Sequence, residues 1–149
     1  MKEMGNEIIN EYLSEVIDTE IVKSMKNYVQ HGNTSAYDHC ISVAKLCYKI
    51  DRKFKLNSNL KNLMIGSMLH DFYLYDWHKR SLKYGLHGYN HSRIAMENAI
   101  KYFDVNENVQ SMILTHMWPL NLTKIPKNKE AWILCLADKI CSVEETFRR

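Results

Sequence analysis

Residues 57–72 read NSNLKNLMIGSMLHDF, and this stretch decides what kind of fold the chain can adopt. The asparagine and serine at its start are residue types that begin helices, because their side-chain oxygens accept hydrogen bonds from free backbone amides. Apolar residues then recur at helical spacing, at Leu60, Leu63, Met64 and Met68. Gly66 is small enough to let a neighbouring helix approach. The stretch predicts an inward-facing helix that ends at the adjacent pair His70-Asp71.

The same helical spacing of apolar residues continues along most of the chain. It predicts helices over about 6–28 (with a break near 18–19), 34–54, 58–70, 91–103, 106–118 and 129–147. Gly32-Asn33-Thr34 is interpreted as a helix stop followed by a new N-cap, and no stretch alternates convincingly as a strand. We therefore expect an all-α, single-domain compact helical bundle of about six to eight helices over residues 1–149, in which residues 1–30 form an N-terminal helical segment.

Composition excludes several classes of protein. Hydrophobic residues make up 46% of the 149 residues and charged residues 25%, which is ordinary for a globular domain with a substantial core. The formal net charge of +3 permits an anionic ligand but comes without the basic stripe of nucleic-acid-binding modules.

Targeting and redox signals point to the cytoplasm. No apolar run approaches the roughly 20 residues of a membrane span, and the N-terminus lacks the shape of a signal peptide. The four cysteines form no Cys-x-x-Cys pair, which fits buried thiols in a reducing compartment. We expect a cytoplasmic protein that binds neither nucleic acid nor a membrane; nothing in the pattern indicates an oligomeric state.

Further ionisable side chains fall on apolar helix surfaces, and these are His39, His91, His116 and Asp138. An unpaired ionised carboxylate on such a surface is very unfavourable, so Asp71 and Asp138 need partners, which histidines or metal ions would supply. Taken singly, each histidine is more often a hydrogen-bonded core or surface residue, and Asp138 with Lys139 could be half of a surface ion pair. The joint inward placement of all six side chains favours a metal site.

The chemistry of a shared carboxylate explains why Asp71 stands out. A carboxylate has two oxygens, so Asp71 could contact two metal ions, and two ions held by histidines and carboxylates can activate water for attack on phosphorus at neutral pH. Such ligands suit iron, manganese, zinc, cobalt or nickel. We expect two divalent metal ions as cofactors.

The ordered series His39, His70-Asp71 and Asp138 resembles the signature of the HD-domain metal-dependent phosphohydrolases, over about residues 34–147. The dinuclear branch of that family carries two additional histidines where this chain has His91 and His116. The resemblance implies that residues 34–147 form a metal-binding core of the HD-domain type. It implies that one ion is held by His39, His70, Asp71 and Asp138, and that the other is held by His91, His116 and the bridging Asp71.

The chain departs from parts of this superfamily. It lacks the Gly-Tyr-Pro segment of the cyclic-dinucleotide phosphodiesterases, and Leu74 stands where many relatives carry a phosphate-binding lysine. We therefore do not expect this chain to position a substrate phosphate in the same way as those relatives.

Other residues are candidates for catalysis and substrate binding. Asp71, His87 and Lys139 are the expected catalytic residues, His87 as a general acid or phosphate contact and Lys139 as a phosphate contact. His87 is equally compatible with an ordinary loop histidine. The expected substrate-binding residues are His87, Arg93, Trp118, Lys79 and Arg80, with Trp118 able to stack on a nucleobase.

Together these features predict a metal-dependent phosphohydrolase. It would cleave a phosphoester or phosphoanhydride of a small phosphorylated molecule, with a nucleotide as the expected substrate, by means of a metal-activated water. Two alternatives stay open from the sequence: a catalytically silent ligand-binding or regulatory HD domain, and a dinuclear-iron oxygenase on the same scaffold.

Overall fold

The computed structural model describes residues 2–78 and 87–147, and within these ranges it is mainly helical. In chain order the elements are α1 Lys2–Ile17, α2 Glu20–Lys23, a 3₁₀ helix Ser24–Asn27, β1 Val29–His31, β2 Thr34–Ser35, α3 Ala36–Lys53, α4 Leu60–Leu69, α5 His87–Phe103, α6 Glu107–Thr115 and α7 Lys129–Phe147. The seven α-helices of the described residues confirm the predicted all-α bundle. Among these helices, none has the length and apolar character needed to cross a bilayer.

The expected break in the N-terminal segment is confirmed and is made by Thr19. Its hydroxyl donates to the carbonyl of Val16 at 2.7 Å, which closes the end of α1. The same oxygen accepts from the Val22 amide at 3.4 Å and so caps the start of α2. One threonine thus ends one helix and begins the next.

The segment that follows corrects the sequence prediction, because it contains a small antiparallel hairpin. Val29 pairs with Ser35 and His31 with Thr34, and Gly32 makes the tight turn with a φ of 57°. The N-cap of α3 is Ser35, which accepts from the Asp38 amide at 3.1 Å. Strands of two and three residues are too short for alternation to be visible in the sequence, so the expectation of no strand was wrong here.

Helix α4 is the central element, and α1, α3, α6 and α7 all pack against it. Its cap is Asn59, which accepts from the Asn62 amide at 3.0 Å, one residue later than the predicted Asn57-Ser58 start. Leu63, Met64, Met68 and Leu69 are completely buried. A methyl group placed on Gly66 would come within 2.6 Å of the Met112 methyl on α6. The expectation that this glycine admits a neighbouring helix is confirmed.

The remaining helices begin and end close to the predicted positions. Helix α5 begins at His87, four residues before the predicted start at 91. Asn106 caps α6 as predicted, accepting from the Val109 amide at 3.0 Å. Helix α6 ends at Thr115, three residues before the predicted end at 118, and α7 has the predicted bounds.

Candidate metal centre

His70 and Asp71 lie where α4 ends, and both side chains are buried. Ser67, one turn earlier, fixes the imidazole: its carbonyl accepts a 2.6 Å hydrogen bond from His70 Nδ1. A carbonyl only accepts, so Nδ1 carries the proton and Nε2 faces the protein interior. Because the helix stops at His70, Asp71 can turn its carboxylate toward the same point, and its Oδ2 lies 3.3 Å from His70 Nε2.

The first group of candidate ligands joins α3, the end of α4 and α7. His39 Nε2 on α3 lies 2.9 Å from Asp138 Oδ1 on α7, and 3.3 Å from Asp71 Oδ2. His70 Nε2 lies 3.3 Å from His39 Nε2 and from the same Asp138 oxygen. We call His39, His70, Asp71 and Asp138 the first group, whose ligand atoms all lie within 4.8 Å of one another.

The second group is formed by Asp71 with His91 on α5 and His116 at the end of α6. The two Nε2 atoms of the histidines are 3.0 Å apart. They lie 3.2 Å and 3.4 Å, respectively, from Asp71 Oδ1. The Ile113 carbonyl accepts from His116 Nδ1 at 2.6 Å, which again turns Nε2 inward. Asp71 therefore presents one carboxylate oxygen to each group.

The electrostatics of the first group couple its histidines to its carboxylates. Burial alone would lower the pKa of His39, but hydrogen bonds to Asp138 and Glu145 raise it to about 10. Burial alone would raise the pKa of Asp71, but the charge of His70, with the nearby imidazoles of His116 and His91, holds that pKa well below its usual range. Each ionised carboxylate is thus paired with a cation, as a buried charge requires.

Donor geometry fits a divalent cation. Two facing imidazole nitrogens 3.0–3.3 Å apart cannot both present lone pairs to each other, so a proton or a metal ion must lie on at least one of them. Asp71 Oδ1 is buried and accepts no hydrogen bond of normal geometry from the described residues, although two imidazoles lie beside it. Imidazole nitrogens and carboxylate oxygens are ligands that divalent transition metals accept. The buried histidine and aspartate cluster is therefore a candidate site for a divalent metal.

A cavity of about 560 Å³ opens onto both groups, and Asp71, His91 and Asp138 form part of its wall. This volume lies within the range of small-molecule sites in proteins. Lys139, a predicted catalytic residue, also lines it. The Lys139 ammonium donates to the His116 carbonyl at 3.2 Å, which places its charge beside the second group.

The predicted substrate-binding residues have mixed placements. Arg93 is exposed, donates to Glu97 at 2.9 Å and does not line this cavity. Trp118 packs edge-on against Trp132, with ring centroids 5.2 Å apart, and does not line the cavity either. The structure does not bring these two residues to the site. Lys79 and Arg80 lie outside the described residues; His87 begins α5, but its side chain also falls outside the description.

Several side chains at the site were not expected from the sequence. Gln30 and His31 reach the cavity from the unpredicted hairpin; of the tryptophans in the neighbouring loops, Trp77 lines the cavity and Trp118 does not. The His31 ring lies 5.5 Å from that of His39, and burial, followed by the charge of His39, lowers the His31 pKa.

Glu145 was missed as well. It accepts a 2.7 Å hydrogen bond from His39 Nδ1. A signal for this residue was present in the sequence, because it follows Asp138 by seven positions, which is two helical turns on the same face.

Comparison with known proteins agrees with the geometry. A model of the HD domain family matches residues 36–142, which include all six residues of the two groups. No curated protein and no solved structure matched the chain. Since the match covers well over half of the chain, the protein belongs to the HD domain family, a superfamily of the metal-dependent hydrolase type.

Proposed function

We propose that this protein is a metal-dependent phosphohydrolase that uses water to cleave a phosphoester or phosphoanhydride bond in a nucleotide. The observation that carries the proposal is the position of Asp71, which offers one oxygen to His39 and His70 and the other to His91 and His116. A carboxylate shared in this way is suited to two metal ions a few ångströms apart.

Six side chains would hold the ions. The first group would bind one divalent ion, and His91 and His116 with the shared Asp71 would bind the other. When bound, two such ions would lower the pKa of a coordinated water and offset the negative charge of the substrate phosphate. The chain itself contributes orientation, because the backbone carbonyls of Ser67 and Ile113 fix two of the imidazoles.

Residues of the cavity support a phosphate-bearing substrate. The ammonium of Lys139 is anchored by the His116 carbonyl, so it would stand beside a phosphate held at the second group. His31 and Gln30 extend from the hairpin on the cavity wall and supply hydrogen-bonding groups to the same space. Cationic and polar donors of this kind stabilise charge on transferring phosphoryl oxygens.

Apolar residues of the cavity support a nucleobase. Trp77, Pro119 and Leu120 belong to its lining. An indole face is a good stacking surface for a base, worth about 1–3 kcal/mol per base. In the proposal Trp77 replaces Trp118 as the stacking residue.

The cysteines support a reducing compartment. All four are free and buried. Two of them, Cys135 and Cys141, lie on α7, the helix that carries Asp138. Unpaired thiols are the usual condition of cysteines in the cytoplasm, which is where we place the protein.

The test is a hydrolysis assay on purified protein with Mn²⁺ or Fe²⁺, using a panel of nucleotides and a chromogenic phosphodiester. We expect metal-dependent release of phosphate or nucleotide that disappears in Asp71→Asn, whereas Asp18→Asn, on the exposed surface, keeps it. A metal-loaded protein that hydrolyses none of these compounds would contradict the proposal and favour the silent regulatory domain. Oxygen consumption without hydrolysis would favour the oxygenase.

A further inference from the structure

Glu145 is a buried carboxylate that the proposed chemistry does not use. It lies on α7, on the same helix as Asp138, and only 7% of it is exposed. Its Oε2 accepts a 2.7 Å hydrogen bond from His39 Nδ1. Asp138 Oδ1 lies 2.9 Å from the opposite nitrogen of that ring, so His39 is held between two carboxylates of one helix.

The other oxygen of Glu145 argues against a purely structural role. Oε1 is buried and has no hydrogen-bond partner among the described residues. A carboxylate that joins helices would be expected to satisfy both oxygens, because each unsatisfied buried acceptor is unfavourable. The observed hydrogen bond of Glu145 is directed to His39, and to no other group that the structure describes.

His39 is anchored differently from His70, which belongs to the same group, and from His116 of the second group. His70 and His116 donate their Nδ1 protons to backbone carbonyls, of Ser67 and Ile113. His39 donates instead to a carboxylate. A charged acceptor fixes the ring more firmly and makes the opposite nitrogen a stronger donor to a metal.

Negative charge is also distributed unequally. Around the first group lie three carboxylates, those of Asp71, Asp138 and Glu145. In the second group, the described residues supply one carboxylate, the shared Asp71. A divalent cation is therefore attracted more strongly to the first group than to the second.

We propose that Glu145 is a positioning residue for His39 and that it makes the first group the tighter of two unequal metal sites. The first ion would bind there, and a second, more readily exchanged ion would bind to His91, His116 and Asp71. The inference rests on the two-metal centre of the proposed function, but its test measures binding and not turnover.

The experiment is a titration of the chelator-treated protein with Co²⁺, followed by calorimetry and by the visible absorption of the bound ion. Wild-type protein should bind two equivalents in separate tight and weak phases. Glu145→Gln should weaken the tight phase by about 10- to 100-fold, the usual effect of losing an outer partner of a metal-bound histidine, and leave the weak phase unchanged. The matched control is Glu144→Gln, at the exposed neighbouring position, which should titrate as wild type.

Two further variants keep the inference testable if Glu145→Gln does not fold. His39→Ala should remove the tight phase, and His91→Ala should remove the weak one. The inference would be overturned if His39→Ala removed the weak phase and His91→Ala the tight one. It would also be overturned by a single binding phase in wild type, or by a tight phase of normal affinity in Glu145→Gln. If the two Co²⁺ ions bind with unequal affinity but no substrate is hydrolysed, only the proposed function is contradicted. If the protein hydrolyses a substrate but Glu145→Gln binds Co²⁺ as wild type does, only this inference is contradicted.

Discussion

The Asp138 carboxylate lies 2.9 Å from Nε2 of His39, although 99 positions separate the two residues in the chain. His39 is on α3 and Asp138 is on α7, two helices that pack against each other. Both side chains are buried, and each is one of the charge partners that the other requires there. The contact between His39 and Asp138 therefore belongs both to the candidate metal site and to the packing of α3 against α7.

Metal binding should release protons. Burial opposes protonation of His39, yet its hydrogen bonds to Asp138 and Glu145 raise its pKa to about 10, so at pH 7 this imidazole carries a proton until a metal displaces it. Calorimetry of Co²⁺ binding at pH 7 in buffers of different ionisation enthalpy should show release of about one proton or more. The apparent affinity should fall about tenfold for each unit of pH decrease. A binding enthalpy independent of the buffer would contradict this expectation.

Chelator-treated protein should be most stable under mildly acidic conditions. The pKa values of Asp71 and Asp138 are held well below 3.8 by their histidines despite burial, so their contribution is present above about pH 4 and is lost at lower pH. His39 has a raised pKa, so its contribution is complete below 6.5 and is lost as the pH rises through about 10.

The measurement is the thermal midpoint of chelator-treated protein between pH 3 and pH 10. We expect a maximum near about pH 6.5, the ordinary pKa of histidine: above it the raised pKa values of His39 and His70 reduce stability, and below it the lowered pKa values of His31 and His116 do so. Adding Co²⁺ should move the maximum to higher pH, since the ion replaces the protons. A midpoint that rises steadily from pH 6 to pH 9 in the chelated protein is the contrary result.

Gly66→Ala should destabilise the protein through the contact between α4 and α6. The added methyl would lie 2.6 Å from the buried Met112 methyl, so the side chain must shift within a closed core. Crowding of this kind costs about 1–3 kcal/mol, which outweighs the roughly 1 kcal/mol gained in helix propensity. Urea denaturation would measure the change in unfolding free energy.

Gly5→Ala is the matched control for that substitution. A methyl there would lie 3.4 Å from Lys45 Cδ, an ordinary contact with a flexible side chain. The gain in helix propensity should then dominate, so the variant should be unchanged or slightly more stable. Equal destabilisation by both variants would show that crowding against Met112 is not the cause.

Trp77→Ala should raise KM for a nucleotide about tenfold and change KM for a small phosphodiester much less, because only the nucleotide has a base to stack on the indole. Trp118→Ala should not show this selectivity, since Trp118 packs against Trp132 and does not line the cavity. Steady-state kinetics of both variants on both substrates would decide. Equal effects of Trp77→Ala on the two substrates would remove the argument for a nucleobase.

The sequence by itself determined the helical class and the positions of several helix ends. Apolar spacing predicted α4 and α7, and Asn106 was recognised as a cap, because helical periodicity and capping depend on residues within a turn or two of each other. The order of His39, His70-Asp71 and Asp138 also indicated the family that the match over residues 36–142 shows. That these residues bind metal stays a prediction.

Only the tertiary structure decided which distant side chains meet. The hairpin that carries His31 was invisible because its strands are shorter than any readable alternation. The hydrogen bond from His39 to Glu145, and the choice of Trp77 over Trp118 at the cavity, depend on how helices and loops pack across long separations in the chain. Local spacing determines on which face of a helix a side chain lies. Which other element packs against that face depends on how the whole core is buried, and that involves residues far apart in the chain.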